Sequence, residues 1–434
     1  MNKAGICLVT SQHLSYNPRL LKEADALHEA GYLVRVVAMR LERSKAEWDA
    51  RLMTNRGWKL ETVNVGRDNF SGRFNWLKGA LRQKLYQRFT WLRRGLNGAE
   101  MAFSRHWPEL ARLAAREPAD LFIAHNLQAL PAAANAAQRW NGKLGFDAED
   151  FHRGETGGNL DDNVSLRQRI EAVEQKYIPH CDHLTAASDG IGDAYAKVLG
   201  VRKPVTVLNV FPLAERNGHT PPEALRRERG GEGLSLYWYS QVIGAGRGLE
   251  DALLALAQLG SGARLHLRGT WAQGYEAVFR ARCRELGIED RVHVLPIAPP
   301  EQLVERATQH DVGLALELGE TENRRICVTN KILNYYVAGL AIAAADVPGQ
   351  RAIMEKFPGA GFLFRAGDAA TLAAQVMEWM NNPESLRQAK ARAKVWAESS
   401  LCWDREKEKL VEAVANALSP TAKTPPLETG EICG

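Results

Sequence analysis

At 434 residues the chain is too long for one ordinary hydrophobic core, so its length predicts two domains. A hydrophobic content of 45% with 25% charged residues is typical of a soluble globular protein, and a formal net charge of +5 is too small at this length to indicate nucleic-acid binding by itself. No apolar run approaches the ~20 residues of a membrane-spanning helix, so we expect that the chain does not cross a membrane.

The cysteines are scattered and contain no CxxC pair, which argues against the common zinc sites and against a disulfide framework. This usage fits a reducing cytoplasm. The six positions are Cys7, Cys181, Cys283, Cys327, Cys402 and Cys433.

The first half of the chain alternates strand-like with helix-like segments, a pattern that predicts a parallel sheet with helices on both faces. Asn17 suits the N-cap of a first helix over 18–30, Pro18 suits its first position, and Gly31 suits its stop. The predicted strands are 5–10, 33–39, 119–126, 143–147, 183–188 and 205–210.

A segment rich in proline, glycine and charge, 214–232, predicts a linker between an N-terminal domain (1–213) and a C-terminal domain (233–402). A helix over 403–418 could belong to either domain, and 419–434 has the composition of a disordered tail. The second domain repeats the alternation, with predicted strands at 234–240, 263–269, 291–296, 311–317, 340–346 and 361–364 and helices at 249–259, 275–286, 300–308 and 370–380.

One segment, 70–107, breaks the alternation. It interleaves Arg and Lys with Phe, Trp, Leu and Tyr, and it contains no acid within 70–94. This pattern is typical of a basic amphipathic helix on an anionic membrane surface. The alternative is that its apolar stripe packs on the N-terminal domain while its arginines are solvated.

Polar side chains follow several predicted strands of the N-terminal domain, and ligands bind beyond the carboxyl ends of strands in doubly wound sheets. The candidate catalytic residues are His125, Glu149 and Asp150, and the candidate acceptor-side residues are His13, Asn17, Arg19 and His152. Each has a simpler alternative role, as a hydrogen-bonded structural histidine or as a helix-capping or solvated acid. A metal-dependent hydrolase using Asp147, Glu149, Asp150 and His152 is a further alternative.

The C-terminal domain places cations at two predicted helix starts, where unpaired backbone N–H groups and the helix dipole attract anions. Arg247-Gly248 precedes one helix and Asn330-Lys331 opens another, while Glu317 stands at a strand end between them. These residues predict a pocket for a nucleotide-diphosphate sugar. The alternative for Arg247 and Lys331 is that they are surface cations.

In this order and spacing, the motifs resemble the GT-B glycosyltransferases of the family 4 type over nearly all of 5–418. The resemblance rests on PRLLKEADALHEAGYLVRVV near the start, AASDGIGDAYAKVLG…VTVLNVFP at the end of the first domain, R-G-L-E-D-A-L in the second, and NKILNYYVAGLAIAAADVPGQ. It implies two Rossmann-like, doubly wound α/β domains facing across a cleft, with the donor on the C-terminal domain and the acceptor on the N-terminal one.

The resemblance further implies transfer of a sugar with retention of anomeric configuration and without a divalent metal or other cofactor. Arg247 and Lys331 match the family's diphosphate-binding cations, and His125 matches a histidine that contacts the donor sugar. The expected partners are a nucleotide-sugar, a saccharide or lipid-linked acceptor and an anionic membrane surface, with no nucleic acid. The expected location is cytoplasmic, on the inner face of the membrane.

The sequence departs from the family pattern at several sugar-contacting positions. The usual pair of glutamates falls on Ile326 and Asn334, and the usual Gly-Arg pair after the first strand of the C-terminal domain is Ser240-Gln241. Asn334 can still bond a hydroxyl group, and Glu317 is a candidate replacement. Because of these departures, two different functions stay open: a nucleotide-sugar epimerase of the same fold, and a non-catalytic partner that binds nucleotide without turnover.

Overall fold

The computed structural model describes residues 3–89, 91, 98–155, 160–218, 220, 223, 225 and 231–419. The chain forms two compact units. Unit 1 combines the N-terminal segment up to Val207 with the segment from Lys407 onward, and unit 2 comprises Leu208–Glu406. The chain therefore passes between the units twice, and unit 2 is a continuous insertion in unit 1.

Unit 1 is built on a seven-stranded parallel sheet of order β3-β2-β1-β4-β5-β6-β7. Its strands are β1 (Gly5–Thr10), β2 (Leu33–Arg40), β3 (Lys59–Asn64), β4 (Leu121–His125), β5 (Lys143–Ala148), β6 (His183–Ala186) and β7 (Val205–Thr206). Its helices include α1 (Pro18–Glu29), α2 (Arg43–Leu52), α3 (Phe70–Arg88), α4 (Gly98–Phe103), α5 (Trp107–Ala114), α6 (Leu130–Trp140), α7 (Leu160–Tyr177) and α8 (Asp189–Leu199).

The local signals at α1 are confirmed. Asn17 Oδ1 accepts a hydrogen bond from the backbone N–H of Leu20 at 2.9 Å, Pro18 takes the first helical position, and Gly31 has a φ of +96° just beyond the end. These residues fix where the chain turns from β1 into α1. The predicted strand 205–210 is shorter in the structure, because β7 covers two residues at the edge of the sheet.

Unit 2 is built on a six-stranded parallel sheet of order β10-β9-β8-β11-β12-β13. Its strands are β8 (Leu234–Ile243), β9 (Ala263–Trp271), β10 (Val292–Leu295), β11 (Val312–Ala315), β12 (Ala341–Ala345) and β13 (Gly361–Phe364). The described helices that follow unit 1's α8 are α9 (Leu249–Gln258), α10 (Tyr275–Glu285), α11 (Leu303–Ala307), α12 (Glu322–Ile326), α13 (Asn330–Ala338), α14 (Pro348–Lys356), α15 (Ala369–Asn381), α16 (Pro383–Ser399) and α17 (Trp403–Leu418).

The strand order reverses between β1 and β4 in unit 1, and between β8 and β11 in unit 2. Both sheets are therefore doubly wound, as the alternating pattern predicts. In such sheets the two loops on either side of the reversal diverge and leave a crevice at the carboxyl ends of the strands. Each unit thus has one position where a ligand is expected.

Segment 214–232, predicted as a linker, begins with structure. Leu213–Asn217 form a short 3-10 helix within unit 2, where Arg216 donates to the carbonyl oxygen of Val337 at 2.7 Å and pairs with Glu398. Much of 219–230 lies outside the described residues.

Helix α17, which the sequence left open to either domain, contacts unit 1 beyond its first turn. Lys407 pairs with Glu29 at 2.8 Å, and Lys143 donates to the carbonyl oxygen of Ser419 at 3.0 Å. The predicted tail 419–434 lies outside the described residues from 420 onward.

Segment 70–107 is not one amphipathic helix. The structure divides it into α3, α4 and the start of α5, with 90 and 92–97 outside the described residues. None of the described helices is both long enough and apolar enough to span a bilayer.

Candidate functional site

The crevice of unit 2 contains the predicted anion-binding residues. β8 ends at Ile243 and leads through a glycine-rich loop into α9, with Gly246 at φ +69° and Gly248 at φ +71°. A Cβ atom on Gly248 would overlap the carbonyl oxygen of Leu316. Glycine is therefore required at 248 both by its left-handed conformation and by the close approach of the next loop. This contact holds Arg247 beside the carboxyl end of β11.

Helix α13 begins where the sequence predicted, at Asn330-Lys331. Thr329 is its N-cap, and the hydroxyl of Tyr239 donates to the carbonyl oxygen of Asn330 at 3.2 Å. Nζ of Lys331 lies 5.7 Å from the centre of the Trp238 ring, so an aromatic face and the helix start together confine the ammonium group. The helix ends at Gly339, which has a φ of +75°, as predicted.

Glu317 lies between the two predicted cations. Its Oε1 accepts hydrogen bonds from Nζ of Lys331 and, at 3.2 Å, from the hydroxyl of Thr329. Burial opposes the charge of Glu317, but Lys331 and, more weakly, Arg247 hold the pKa of this carboxyl below its usual range. Three segments thus bring two cations and one carboxylate to the same end of the sheet. The cations have the charge needed to hold a diphosphate.

Asn334, a candidate donor contact, lies one turn further along α13 and is completely buried. Neither of its amide atoms bonds a described residue. Ile326, at the other position of the missing glutamate pair, ends α12 and is partly buried. In the described part of unit 2, Glu317 is therefore the carboxylate that directly contacts the cation of α13.

Unit 1 places a buried ion cluster at the carboxyl end of its sheet. Arg19, on the first turn of α1, donates from Nε and Nη2 to the two carboxylate oxygens of Asp147, at 2.6 and 2.7 Å. Asp147 also accepts from the hydroxyl of Thr185 at 2.6 Å, and Arg19 donates to the carbonyl oxygen of Val207 at 2.6 Å. The guanidinium of Arg19 holds the pKa of Asp147 well below its usual range against the effect of burial.

His125, the last residue of β4, is fully buried among carboxylates. Its Nε2 lies 3.3 Å from Glu23, and its Nδ1 lies 3.5 Å from both Asp147 and Glu149. Burial opposes protonation of the ring, but these carboxylates, Glu23 first, raise the pKa of His125 to about 10. The surrounding carboxylates therefore favour the protonated form of His125, whose side chain is fully buried in this structure.

The sequence analysis missed Glu23. It lies four residues after Arg19 on the same face of α1, and its carboxylate is 3.2 Å from the guanidinium. The i,i+4 spacing of an acid and a base was the signal that could have found it. Burial, followed by the repulsion of Asp147, raises the pKa of Glu23.

Among the described residues, Glu23, His125 and Asp147 bring ligand atoms within 4.8 Å of one another, close enough to hold a metal ion. The donor set does not fit one. Both oxygens of Asp147 already accept from Arg19, whose guanidinium would repel a divalent cation, and the raised pKa of His125 favours a protonated ring with no lone pair for a metal. The hydrolase alternative places the metal on Asp147 with Glu149, Asp150 and His152, whereas the structure groups Asp147 with Glu23 and His125.

Glu149 connects this cluster with the surface. Its Oε1 accepts from Nδ2 of Asn17 at 2.6 Å and lies near His125, while 27% of its side chain remains exposed. Asp150 is partly buried, and its carbonyl oxygen accepts from the hydroxyl of Tyr195 at 3.3 Å. Glu149 is thus the member of the cluster with a carboxylate that an added molecule can reach.

His13 and His152 have structural contacts of their own. Nδ1 of His13 bonds Asp49 at 2.8 Å, and its Nε2 accepts from the backbone N–H groups of Leu41 and Glu42, each at 2.9 Å. No ring nitrogen of this buried histidine is left for a ligand. Nδ1 of His152 lies 3.5 Å from Glu155, which raises the pKa of the ring despite its burial.

Residues 232–396 match the sequence model of the family described as glycosyl transferases group 1. The structure is also similar to HepE from Anabaena, solved with UDP, at a TM-score of 0.68 and 14% identity over 95% of this chain and 99% of that one. The fold is GT-B, with a group 1 glycosyl transferase match in unit 2. This confirms the fold that the motifs implied.

Two further structures agree. Sucrose-phosphate synthase from Thermosynechococcus elongatus has a TM-score of 0.69 at 14% identity, covering 95% of this chain and 98% of that one. WaaG, described as a glycosyltransferase of lipopolysaccharide biosynthesis, has a TM-score of 0.60 at 13% identity, covering 94% and 98%. No curated protein matches this chain in sequence. The structural similarity establishes the GT-B fold. Because the sequence identities are this low, the donor and the acceptor have to be argued from the chemistry of the site.

Proposed function

We propose that this protein is a glycosyltransferase that moves a sugar from a nucleotide-diphosphate donor to a saccharide or lipid-linked acceptor, with retention of anomeric configuration. The observation that carries the proposal is the convergence of Arg247, Lys331 and Glu317 at the strand-order reversal of unit 2. The match of 232–396 to the group 1 glycosyl transferases covers all three residues.

The donor's diphosphate would bind between Arg247 and Lys331. During transfer, the bond between the anomeric carbon and the diphosphate oxygen breaks, a bond to the acceptor oxygen forms on the same face, and the acceptor's proton leaves with the diphosphate. The two cations neutralise the charge that develops on the departing phosphate. Because these cations can supply that charge, we propose that no divalent metal is required.

Several of the similar structures hold the expected kind of donor. HepE was solved with UDP and with UDP-glucose, and trehalose-6-phosphate from E. coli is described as bound with UDP-2-fluoro glucose. These ligands support a nucleotide-sugar as donor here. The description of WaaG supports a role in bacterial surface polysaccharide or glycoconjugate synthesis.

On unit 1, Glu149 is the carboxylate best placed to orient an acceptor hydroxyl, because it is exposed on one side and held by Asn17 on the other. His125 would act through Glu149 as a positioning residue. We propose that the reaction takes place in the cytoplasm, which agrees with the free state of all five described cysteines, and that the acceptor is presented at the inner face of the membrane.

Nucleotide release from a panel of UDP-, GDP-, dTDP- and ADP-sugars, with and without EDTA, tests this function. Release from one donor that is indifferent to EDTA and requires an acceptor supports the proposal, and the anomeric configuration of the product tests retention. Lys331→Gln should abolish release, whereas Lys356→Gln, which changes an exposed lysine of the same unit, should not.

The competing functions give different results in the same assay. Conversion of the sugar without any acceptor would identify an epimerase. Nucleotide binding without turnover of any donor–acceptor pair would identify a non-catalytic partner. Loss of activity with EDTA would overturn the metal-independent mechanism.

A further inference from the structure

Helix α3 exposes a line of large apolar side chains on its outer side. Five large apolar side chains lie along one side of it at spacings of four, three, four and four residues, and their exposed fractions run from 48% to 86%. We call this side the apolar ridge. It consists of Phe70, Phe74, Leu77, Leu81 and Leu85.

The polar side of α3 is attached to unit 1. Arg82 forms an ion pair with Glu109 at 2.7 Å, Gln83 donates to the carbonyl oxygen of Phe103 at 3.1 Å, and Asn75 donates to that of Asn64 at 2.9 Å. This arrangement is the opposite of the alternative interpretation, in which the apolar stripe packs on the domain and the polar side faces water.

Two glycines on the attached side fix this orientation. A Cβ atom on Gly72 would overlap the carbonyl oxygen of Gly66, and one on Gly79 would overlap the ring of His106. The helix backbone therefore lies directly against the body of unit 1 on the side opposite the ridge. Trp76 is partly buried, with the guanidinium groups of Arg67 and Arg105 at 4.9 and 5.8 Å from the centre of its ring, so it is not part of the ridge.

Exposed cations border the ridge. At 100° per residue, Lys78 lies on one flank, Arg73 and Lys84 lie on the other, and Arg88 continues the line of the ridge. Among the described residues, none of these four cations forms an ion pair. The sequence contains no acid from 70 to 94 to offset them.

We propose that the apolar ridge and its flanking cations dock unit 1 onto the surface of an anionic lipid bilayer. An apolar strip with lysines and arginines beside it matches the boundary between acyl chains and anionic headgroups, where a helix lies in the plane of the membrane. Phe89 and Trp91, which follow the helix in the sequence, are exposed as well.

A second copy of the chain fits this surface less well. Pairing two ridges would bring the cations of both copies alongside each other, with no acid on the helix to compensate them. Docking adds to the proposed membrane location the residues that would make the contact, and it requires neither a donor nor an acceptor. If transfer fails in every assay, the docking surface can still be tested by itself.

The test is sedimentation of the full chain with sucrose-loaded vesicles of phosphatidylcholine, with and without phosphatidylglycerol. Wild type should sediment with the anionic vesicles, and raised salt should weaken the binding several-fold. The triple variant Phe74→Ser, Leu77→Ser, Leu81→Ser should bind at least about tenfold more weakly. The matched control, Val278→Ser, Ile297→Ser, Val395→Ser, removes three equally exposed apolar side chains from unit 2 and should bind like wild type.

A charge variant separates the two parts of the surface. The triple variant Lys78→Gln, Lys84→Gln, Arg88→Gln should lose the preference for phosphatidylglycerol. The control is the triple variant Arg280→Gln, Arg282→Gln, Arg284→Gln on α10, which should keep that preference. Equal sedimentation of wild type and the ridge variant would overturn the proposal. A wild-type dimer in light scattering that becomes a monomer in the ridge variant, with no vesicle binding by either, would assign the surface to a second copy instead.

Discussion

Nζ of Lys331 donates a hydrogen bond to the carboxylate of Glu317, and both side chains are largely shielded from solvent. Without a ligand, the carboxylate of Glu317 therefore lies where the helix start and the ammonium group of Lys331 would attract an anion. A donor diphosphate would compete with this carboxylate for Lys331. Glu317 is thus the counter-ion of Lys331, and without it the ammonium group would be buried without a partner.

The first prediction follows from this competition. Glu317→Gln should tighten the binding of UDP or another accepted nucleoside diphosphate by about three- to tenfold, since it removes a competing negative charge worth up to about 1.4 kcal/mol. Lys331→Gln should weaken binding at least as much. Calorimetry with the free nucleotide measures both. Weaker binding in Glu317→Gln would mean that the carboxylate contacts the ligand directly.

The second prediction concerns the loop before α9. Gly248→Ala should lower both stability and nucleotide affinity, because the new methyl group would overlap the backbone of Leu316 and displace Arg247. Gly274→Ala is the matched control: Gly274 has a similar φ of +76°, but nothing lies within 4 Å of an added Cβ. This variant should lose only about 1 kcal/mol of unfolding free energy, the cost of holding alanine in the left-handed conformation, and its nucleotide affinity should be unchanged.

The third prediction concerns the ion cluster of unit 1. Arg19→Ala leaves Asp147 and Glu23 buried without their guanidinium partner, so it should lower the free energy of unfolding of unit 1 by about 3–5 kcal/mol. Arg43→Ala, which removes an exposed arginine paired with Glu47, should change it by less than about 0.5 kcal/mol. Urea unfolding followed by circular dichroism measures both. Similar midpoints for the two variants would contradict the structural role of the cluster.

The fourth prediction is a stability maximum near neutral pH. The pKa of His125 is raised to about 10, so its stabilising contribution is complete below its unfolded value of about 6.5 and is lost as the pH rises toward 10. Burial lowers the pKa of His106 and His183 to about 4, so these rings destabilise the fold as the pH falls from about 6.5 toward 4.

Thermal unfolding across this range measures the maximum. His125→Gln should flatten the alkaline side and leave the acid side unchanged. An alkaline slope that is identical in the variant would show that other groups cause it.

The sequence predicted the two sheets and the starts of α1 and α13 well because both follow from local signals. Asn17-Pro18 and Asn330-Lys331 mark helix starts by their own chemistry, and the strands are short apolar runs between polar turns. It missed β3 and α2, whose residues are too polar to stand out: only one of the six residues of β3 is buried.

The surroundings of several candidate residues depend on tertiary contacts. The sequence predicts that Arg19 and His125 face a ligand, whereas in the structure both are buried and lie beside Asp147 in the interior. Periodicity could find the apolar side of α3, but not which side meets the protein. Gly72 and Gly79 determine the orientation, because their lack of a side chain lets unit 1 pack directly against the polar side of the helix.

The double passage of the chain between the units sets an order for folding during synthesis. Unit 2 is continuous from Leu208 to Glu406, so it can complete its sheet as soon as that stretch has left the ribosome. Most of unit 1 is made first, but the part of α17 that starts at Lys407 is made only after unit 2. In the nascent chain, the surface of unit 1 that contacts α17 therefore stays uncovered while the nearly two hundred residues of unit 2 are translated.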